Sequence, residues 1–185
     1  MFTQIDSKLI EKIVRGDSAS FQRLFSLYCQ PLINFAQRYI KDIHIAENIV
    51  QDVFVQIWQN RIQLDPSFNI KIYLYTAVKN RAYKHFRSLD VQRRARENLN
   101  LEWPAVKTPE DEMYQKEIKT AINRAIEKLP EKTRTVFSMN RFDDLTYKEI
   151  ARILNISIKT VETHMGRALK HLRNQLAHLL TFIIF

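Results

Sequence analysis

A chain of 185 residues, 45% of them hydrophobic, is long enough for one ordinary domain or two small ones and too apolar for global disorder. Its 29 Lys+Arg against 20 Asp+Glu give a formal charge of +9, which favours a polyanionic partner, either nucleic acid or an acidic membrane face. A single cysteine, Cys29, which reads as a core thiol, and five scattered histidines (44, 85, 164, 171, 178) exclude an intrachain disulfide framework and a thiolate or paired-histidine metal centre.

The opening stretch "MFTQIDSKLIEKIV" lacks the long apolar core of a signal peptide, and no segment approaches the roughly 18 apolar residues of a membrane span. A cytoplasmic protein is expected. Apolar residues recur at three- and four-residue spacing almost throughout, so the chain reads as all-α. "GDSASFQRLFSLY" predicts a helix beginning at Asp17 with Phe21, Leu24, Phe25 and Tyr28 as its stripe. Pro31 is expected to kink or restart it before "LINFAQRYI".

Asp42 opens the turn into the helix "IAENIVQDVFVQIWQN". Here Ala46, Ile49, Val50, Val53 and Ile57 project inward. Glu47, Asn48, Gln51, Val55, Trp58 and Gln59 project outward, with Asp52 at the flank. This outer side has no cations and presents a valine and a tryptophan, which suits a protein partner. The alternative is that Trp58 tucks against its own bundle.

A loop, "RIQLDPSF", leads to the helix "NIKIYLYTAVKNRAYKHFRS". Leu74, Tyr75, Val78, Ala82 and Phe86 form its inner face; Tyr73, Thr76, Asn80, Tyr83, Lys84 and Arg87 form the outer one. Rings, an amide and cations together are what a single-strand site needs: stacking platforms, edge hydrogen bonds and phosphate partners. An amphipathic helix with snorkelling tyrosines has the same pattern. From Lys71 to Arg96 there are eight Lys/Arg (71, 79, 81, 84, 87, 93, 94, 96) against Asp90 alone.

Residues 89 to 112 lose apolar periodicity and contain Pro104 and Pro109, the marks of a flexible linker. A second helical set begins near Met113, runs through "IKTAINRAIEKL" to Leu129–Pro130 and continues with "KTRTVFSMNRF". Four segments follow: a helical domain over 1–88, a linker over 89–112, a second helical domain over 113–178, and a hydrophobic tail over 179–185. The tail "LAHLLTFIIF" is open to three readings: packing on the last helix, disorder, or docking on an inhibitory partner.

The second domain ends in "LTYKEIARILNISIKTVETHMGRALKHL". Thr146 and Glu149 make a T-x-x-E capping box opening one helix through Leu154. Asn155 tolerates left-handed turn geometry, Ser157 caps the next helix, and Ile156 is placed to staple onto Val161. This is a helix-turn-helix. Helical projection of the second helix groups Ile158, Val161, Met165, Leu169 and Leu172 on one face. Lys159, Thr163, Arg167 and Lys170 fall opposite, with Thr160 and His164 flanking. Arginine and lysine reach guanine acceptors in the major groove, and threonine contacts a thymine methyl or a phosphate. Gly166 in mid-helix costs about 1 kcal/mol relative to alanine. Close approach to a phosphate and neutral drift both account for it.

In order, these segments resemble the extracytoplasmic-function sigma factors of the sigma-70 family. "IAENIVQDVFVQIWQN" is similar to their region 2.2, "IYLYTAVKNRAYKHFR" to regions 2.3–2.4, and "LPEKTRTVFSMNRFDDLTYKEIARILNISIKTVETHMGRALKHLR" to region 4. The resemblance spans about residues 10 to 175 and implies a region 2 bundle and a region 4 helix-turn-helix joined by the linker. It implies a sigma factor that binds core RNA polymerase and directs it to promoter DNA. Glu47, Asn48, Gln51, Asp52, Val55 and Trp58 would dock on the β′ clamp helices. Tyr73, Thr76, Asn80, Tyr83, Lys84 and Arg87 would engage the melted −10 element, with loop residues 61 to 69 capturing a flipped base.

Region 4, seated at the β flap, would read the −35 element through Lys159, Thr160, Thr163, His164, Arg167 and Lys170. The tether would run toward the RNA exit channel, and a membrane-associated anti-sigma factor is the implied inhibitor. No cofactor, metal or small-molecule substrate is implied. Asn48 stands where the family usually has an acid, Tyr73 where tryptophan is frequent, and Lys84 where aspartate is frequent.

Three rivals remain. "SIKTVETHMGRAL" also resembles the reader of dimeric two-component regulators that bind operators, but the first half lacks the alternating strands and clustered acids of a receiver. An enzyme would need a Ser/His/Asp, Cys/His or metal constellation, and none is present. An RNA-binding structural protein has no use for the cation-free outer face of residues 47 to 59.

Overall fold

The computed structural model describes the backbone of residues 7–93 and 113–183, and side chains over 7–85 and 120–176. It contains eight α-helices and no strand among the described residues: α1 (Ser7–Val14), α2 (Ser18–Ala36), α3 (Ile43–Gln59), α4 (Ile70–Arg93), α5 (Met113–Glu127), α6 (Glu131–Arg141), α7 (Tyr147–Leu154) and α8 (Ile158–Ile183). The chain divides into two compact units, residues 1–100 and 101–185. None of the described helices is long and apolar enough to cross a membrane.

In the first unit α2 packs on α1, α3 and α4, and α3 also packs on α4. Asp17 caps α2 by accepting from the Ser20 amide, and Asp42 caps α3 by accepting from the His44 and Ile45 amides. Leu24, Leu32, Phe35, Val50, Ile57, Leu74, Tyr75 and Val78 are fully buried, with Phe35 and Tyr75 edge-on at 5.0 Å between ring centroids. The expected inner face of α3 and that of α4 as far as Ala82 form this core, and Phe54 joins them, packing edge-on against Phe25.

Sequence periodicity left α1 unassigned: its apolar anchors, Ile10 and Ile13, are too few to establish a period, yet both are buried. The turn between α1 and α2 passes through Gly16 at φ +88°, backbone that an L side chain adopts only with strain.

Three boundaries differ from expectation. Pro31 does not restart the chain, since α2 continues unbroken through it. An interior proline costs about 3 kcal/mol, and burial of Leu24 and Tyr28 before it and Leu32, Ile33, Phe35 and Ala36 after it offsets that cost. The loop after α3 begins with a 3-10 turn, Arg61–Gln63. Helix α4 runs to Arg93, five residues past the expected end of the first domain; the rest of the expected linker lies outside the described residues.

In the second unit α8 is the spine, with α5, α6 and α7 packed on it. Asp144 at φ 50° turns α6 into α7, and Asn140 Nδ2 donates to the Leu145 carbonyl at 2.9 Å to hold that turn. Val136, Met139, Leu145, Ile150, Ile153, Val161, Ala168 and Met165 close the core. Helix α8 continues through most of the expected tail, to Ile183.

Candidate nucleic-acid interface

The turn chemistry between α7 and α8 is as expected. Thr146 and Glu149 form a reciprocal capping box, Glu149 Oε2 accepting from the Thr146 amide at 2.8 Å. Asn155 adopts φ 55°, ψ 51°, the left-handed conformation that stops α7. Ser157 Oγ then accepts from the Thr160 amide at 3.0 Å, satisfying a donor of the first turn of α8.

The buried side of α8 is rotated from the projected one. Val161, Met165, Ala168 and Leu172 are buried, whereas Ile158 and Leu169 are 41% and 52% exposed. The small Ala168 lets the neighbouring helices approach, and the buried arc therefore centres nearer to His164 than the apolar count indicates. Lys159, Thr163, Arg167 and Lys170 are all exposed. Thr163 Oγ1 donates back to the Lys159 carbonyl at 2.8 Å, so its methyl group is the part left free for contact. Thr160 is half-buried, its hydroxyl 2.8 Å from Ser157 Oγ.

His164 is half-buried against α6, with Nδ1 3.0 Å from Thr133 Oγ1. Burial, and then the nearby charges of Arg167 and Lys132, hold its pKa below the usual imidazole value. At Gly166 a Cβ would meet nothing within 4 Å, so nothing within the chain requires glycine there.

On α4, Asn80, Tyr83 and Lys84 are exposed, and Tyr73 and Thr76 are half-buried; the Arg87 and Phe86 side chains lie outside the described residues. Phe68 projects from the preceding loop, 50% exposed, and packs edge-on against Tyr73 with centroids 5.7 Å apart. Asp65 shapes that loop by accepting from the Ser67 hydroxyl and amide, which keeps its carboxyl below the usual range.

Not every cation of α4 faces outward. Lys71, Lys79 and Arg81 are half-buried; burial lowers the Lys79 pKa, and Arg81 donates to Gln56 Oε1 of α3 at 2.7 Å.

On α3, Asn48, Gln51, Asp52 and Val55 are exposed, while Glu47 and Trp58 are half-buried. Trp58 tucks against Phe21, 4.9 Å between centroids, with the Arg61 guanidinium 4.7 Å from its ring centroid. The face without cations thus gains one at its end. Arg61 and Phe68 were legible only through tertiary contact, because both lie in the loop, outside any helical period.

Two family models match the chain: "Sigma-70 region 2" over residues 24–91 and "Sigma-70, region 4" over residues 119–172. The chain is 30% identical to the ECF RNA polymerase sigma factor SigW of Bacillus subtilis, over 93% of this chain and 97% of that one. The chain belongs to the ECF RNA polymerase sigma factors.

The ECF RNA polymerase sigma-E factor of Escherichia coli K12 is 25% identical over 95% of this chain and 96% of its own. Two solved structures share the fold. CnrH in complex with the cytosolic domain of CnrY matches with a TM-score of 0.63 at 20% identity, covering 94% of this chain and 97% of that chain. The Bartonella quintana sigma factor RpoE, bound to the anti-sigma factor NepR, matches with a TM-score of 0.67 at 21% identity, covering 85% and 96%. Within this sigma factor, region 2 corresponds to α2–α4 and region 4 to α5–α8. Promoter-directed transcription initiation is its function.

Proposed function

We propose that the three described faces divide the work of this sigma factor. The exposed row of α3, Asn48, Gln51, Asp52 and Val55, with Glu47 and Trp58 at its edges, docks on the β′ clamp helices of core polymerase. The outer side of α4, Tyr73, Thr76, Asn80, Tyr83, Lys84 and Arg87, engages the melted −10 strand, and residues 61 to 69 capture a flipped base. Helix α8 enters the major groove of the −35 element, with Lys159, Thr160, Thr163, Arg167 and Lys170 on the DNA side and His164 at its flank.

Domain limits of 1–88, 89–112, 113–178 and 179–185 fit this division, with the end of the first helix set extended to Arg93. Region 4 sits at the β flap, the protein acts in the cytoplasm and is not an enzyme, and a membrane-associated anti-sigma factor restrains it. The anti-sigma factor NepR bound to RpoE, and the cytosolic domain of CnrY bound to CnrH, support that last assignment.

The observation that carries the reading is the exposure of Lys159, Thr163, Arg167 and Lys170 along one side of a capped helix whose other side buries Val161, Met165, Ala168 and Leu172. Two substitutions test it. Arg167→Ala should weaken recognition of the upstream element by about 5- to 100-fold while leaving core binding intact. Trp58→Ala should weaken core binding and leave the sequence preference of region 4 unchanged. Equal loss of both activities in either variant overturns the division.

A further inference from the structure

We infer that His164 and Thr133 form a positioning pair that sets the rotation of α8 about its own axis, so that promoter selectivity depends on a hydrogen bond remote from the bases. This rests on the reading of α8 as the −35 helix. Thr133 is only 3% exposed and is one of four buried polar side chains among the described residues. A buried hydroxyl needs a partner, and its partner is His164 Nδ1, 3.0 Å away across the α6–α8 contact.

Among the described residues, the buried side of α8 is otherwise formed by Val161, Met165, Ala168 and Leu172, whose burial is apolar and therefore non-directional. They fix which side is buried but resist a small axial turn weakly. The Thr133–His164 bond is directional, and it sits one turn from the cationic row, with Arg167 three residues further along α8 and Lys132 beside Thr133.

A turn of about 20° moves a side-chain tip, about 6 Å from the helix axis, by about 2 Å. A bidentate contact to guanine does not survive that displacement. His164 therefore acts through Arg167 and Thr163 and is a positioning residue; the half-buried ring leaves Nδ1 committed to Thr133.

The test uses the full chain assembled with core polymerase and a promoter library randomised in the upstream element. The variants are His164→Ala, His164→Asn, Thr133→Val and Thr133→Ser, each first checked for a cooperative thermal transition. Asn places a polar atom where Nδ1 stood, and Ser keeps the hydroxyl, so these two should retain wild-type selectivity. His164→Ala and Thr133→Val should both broaden the selected motif, cutting discrimination against a single mismatch from about tenfold to about threefold or less. Their double variant should be no worse than either alone. Affinity for a random duplex, set by phosphate contacts, should stay within about twofold.

The proposal is overturned if Thr133→Val selects the wild-type motif while His164→Ala changes preference at one base pair, which makes His164 a base reader. It also fails if the Asn and Ser variants broaden the motif as much as Ala and Val do. A wild-type holoenzyme that selects no upstream sequence instead removes the reading of α8 itself.

Discussion

The guanidinium of Arg61 lies over the ring of Trp58, 4.7 Å from its centroid, and its Nη1 donates to the Trp58 carbonyl at 2.8 Å. One side chain thus joins the end of α3 to the loop that follows, and its Nε lies 3.7 Å from where a Gly16 Cβ would stand. The tryptophan proposed to dock on core polymerase is held by its own fold.

Replacing Arg61 should release that ring. Arg61→Ala is expected to cost about 1–3 kcal/mol, the sum of a cation–π contact and a hydrogen bond. Denaturant unfolding followed by Trp58 fluorescence, in a Trp103→Phe background, reads the change. An unaltered midpoint and emission spectrum would count against the stack as a structural element.

The turn of the helix-turn-helix rests on Asn155 at φ 55°. Asn155→Ala should destabilise the second unit by about 1 kcal/mol, because a Cβ without a locally bonding side chain is strained there. Asn155→Gly should remain within about 0.5 kcal/mol of wild type or exceed it. Equal losses in both variants would show that the Asn side chain, not the backbone angle, matters.

Gly166 stands exposed in mid-helix with open space where a Cβ would project. Gly166→Ala should therefore raise stability by about 1 kcal/mol. If the gap serves close approach of a phosphate, the same variant binds duplex DNA more weakly despite being more stable. Thermal melting and duplex binding, measured side by side, separate the two roles. A loss of stability would contradict the free space around this residue.

His164 links stability to pH. Burial first, then Arg167 and Lys132, place its folded pKa below the unfolded value of 6.5. The unfolded chain therefore takes up the proton more readily, and the stabilising neutral state is lost as pH falls below 6.5. Stability of the second unit should decline as pH falls through 6.5 and level off once pH lies below the folded pKa. His164→Asn should flatten that decline, and Arg167→Ala should shallow it. A slope unchanged by His164→Asn would assign it to other groups.

Much of this fold was legible in the sequence because local chemistry and tertiary demand coincide. Asp17, Asp42, Thr146 with Glu149, Asn155 and Ser157 each supply the cap or turn that their residue type favours. Periodicity placed the inner faces of α3 and α4, since bulky apolar residues dominate both. It misjudged α8 because a count of apolar residues gives Leu169 weight and Ala168 none, whereas close helix packing favours the smaller side chain. Helix α1 and the unbroken passage through Pro31 depend on contacts with the rest of the bundle that no local pattern carries. The Thr133–His164 bond joins residues 31 apart, and the Arg81–Gln56 bond joins residues 25 apart. Neither pair has a spacing that marks it in advance.

Two helical units, on the proposed division of labour, confer two-part promoter selectivity on core polymerase. Reconstituted transcription from a promoter library with the purified full chain tests it most directly. New start sites are expected downstream of a paired upstream and −10 motif, with Arg167→Ala erasing only the upstream part and Asn80→Ala only the −10 part. A chain that fails to bind core polymerase, or binds it and leaves start-site usage unchanged, would contradict it.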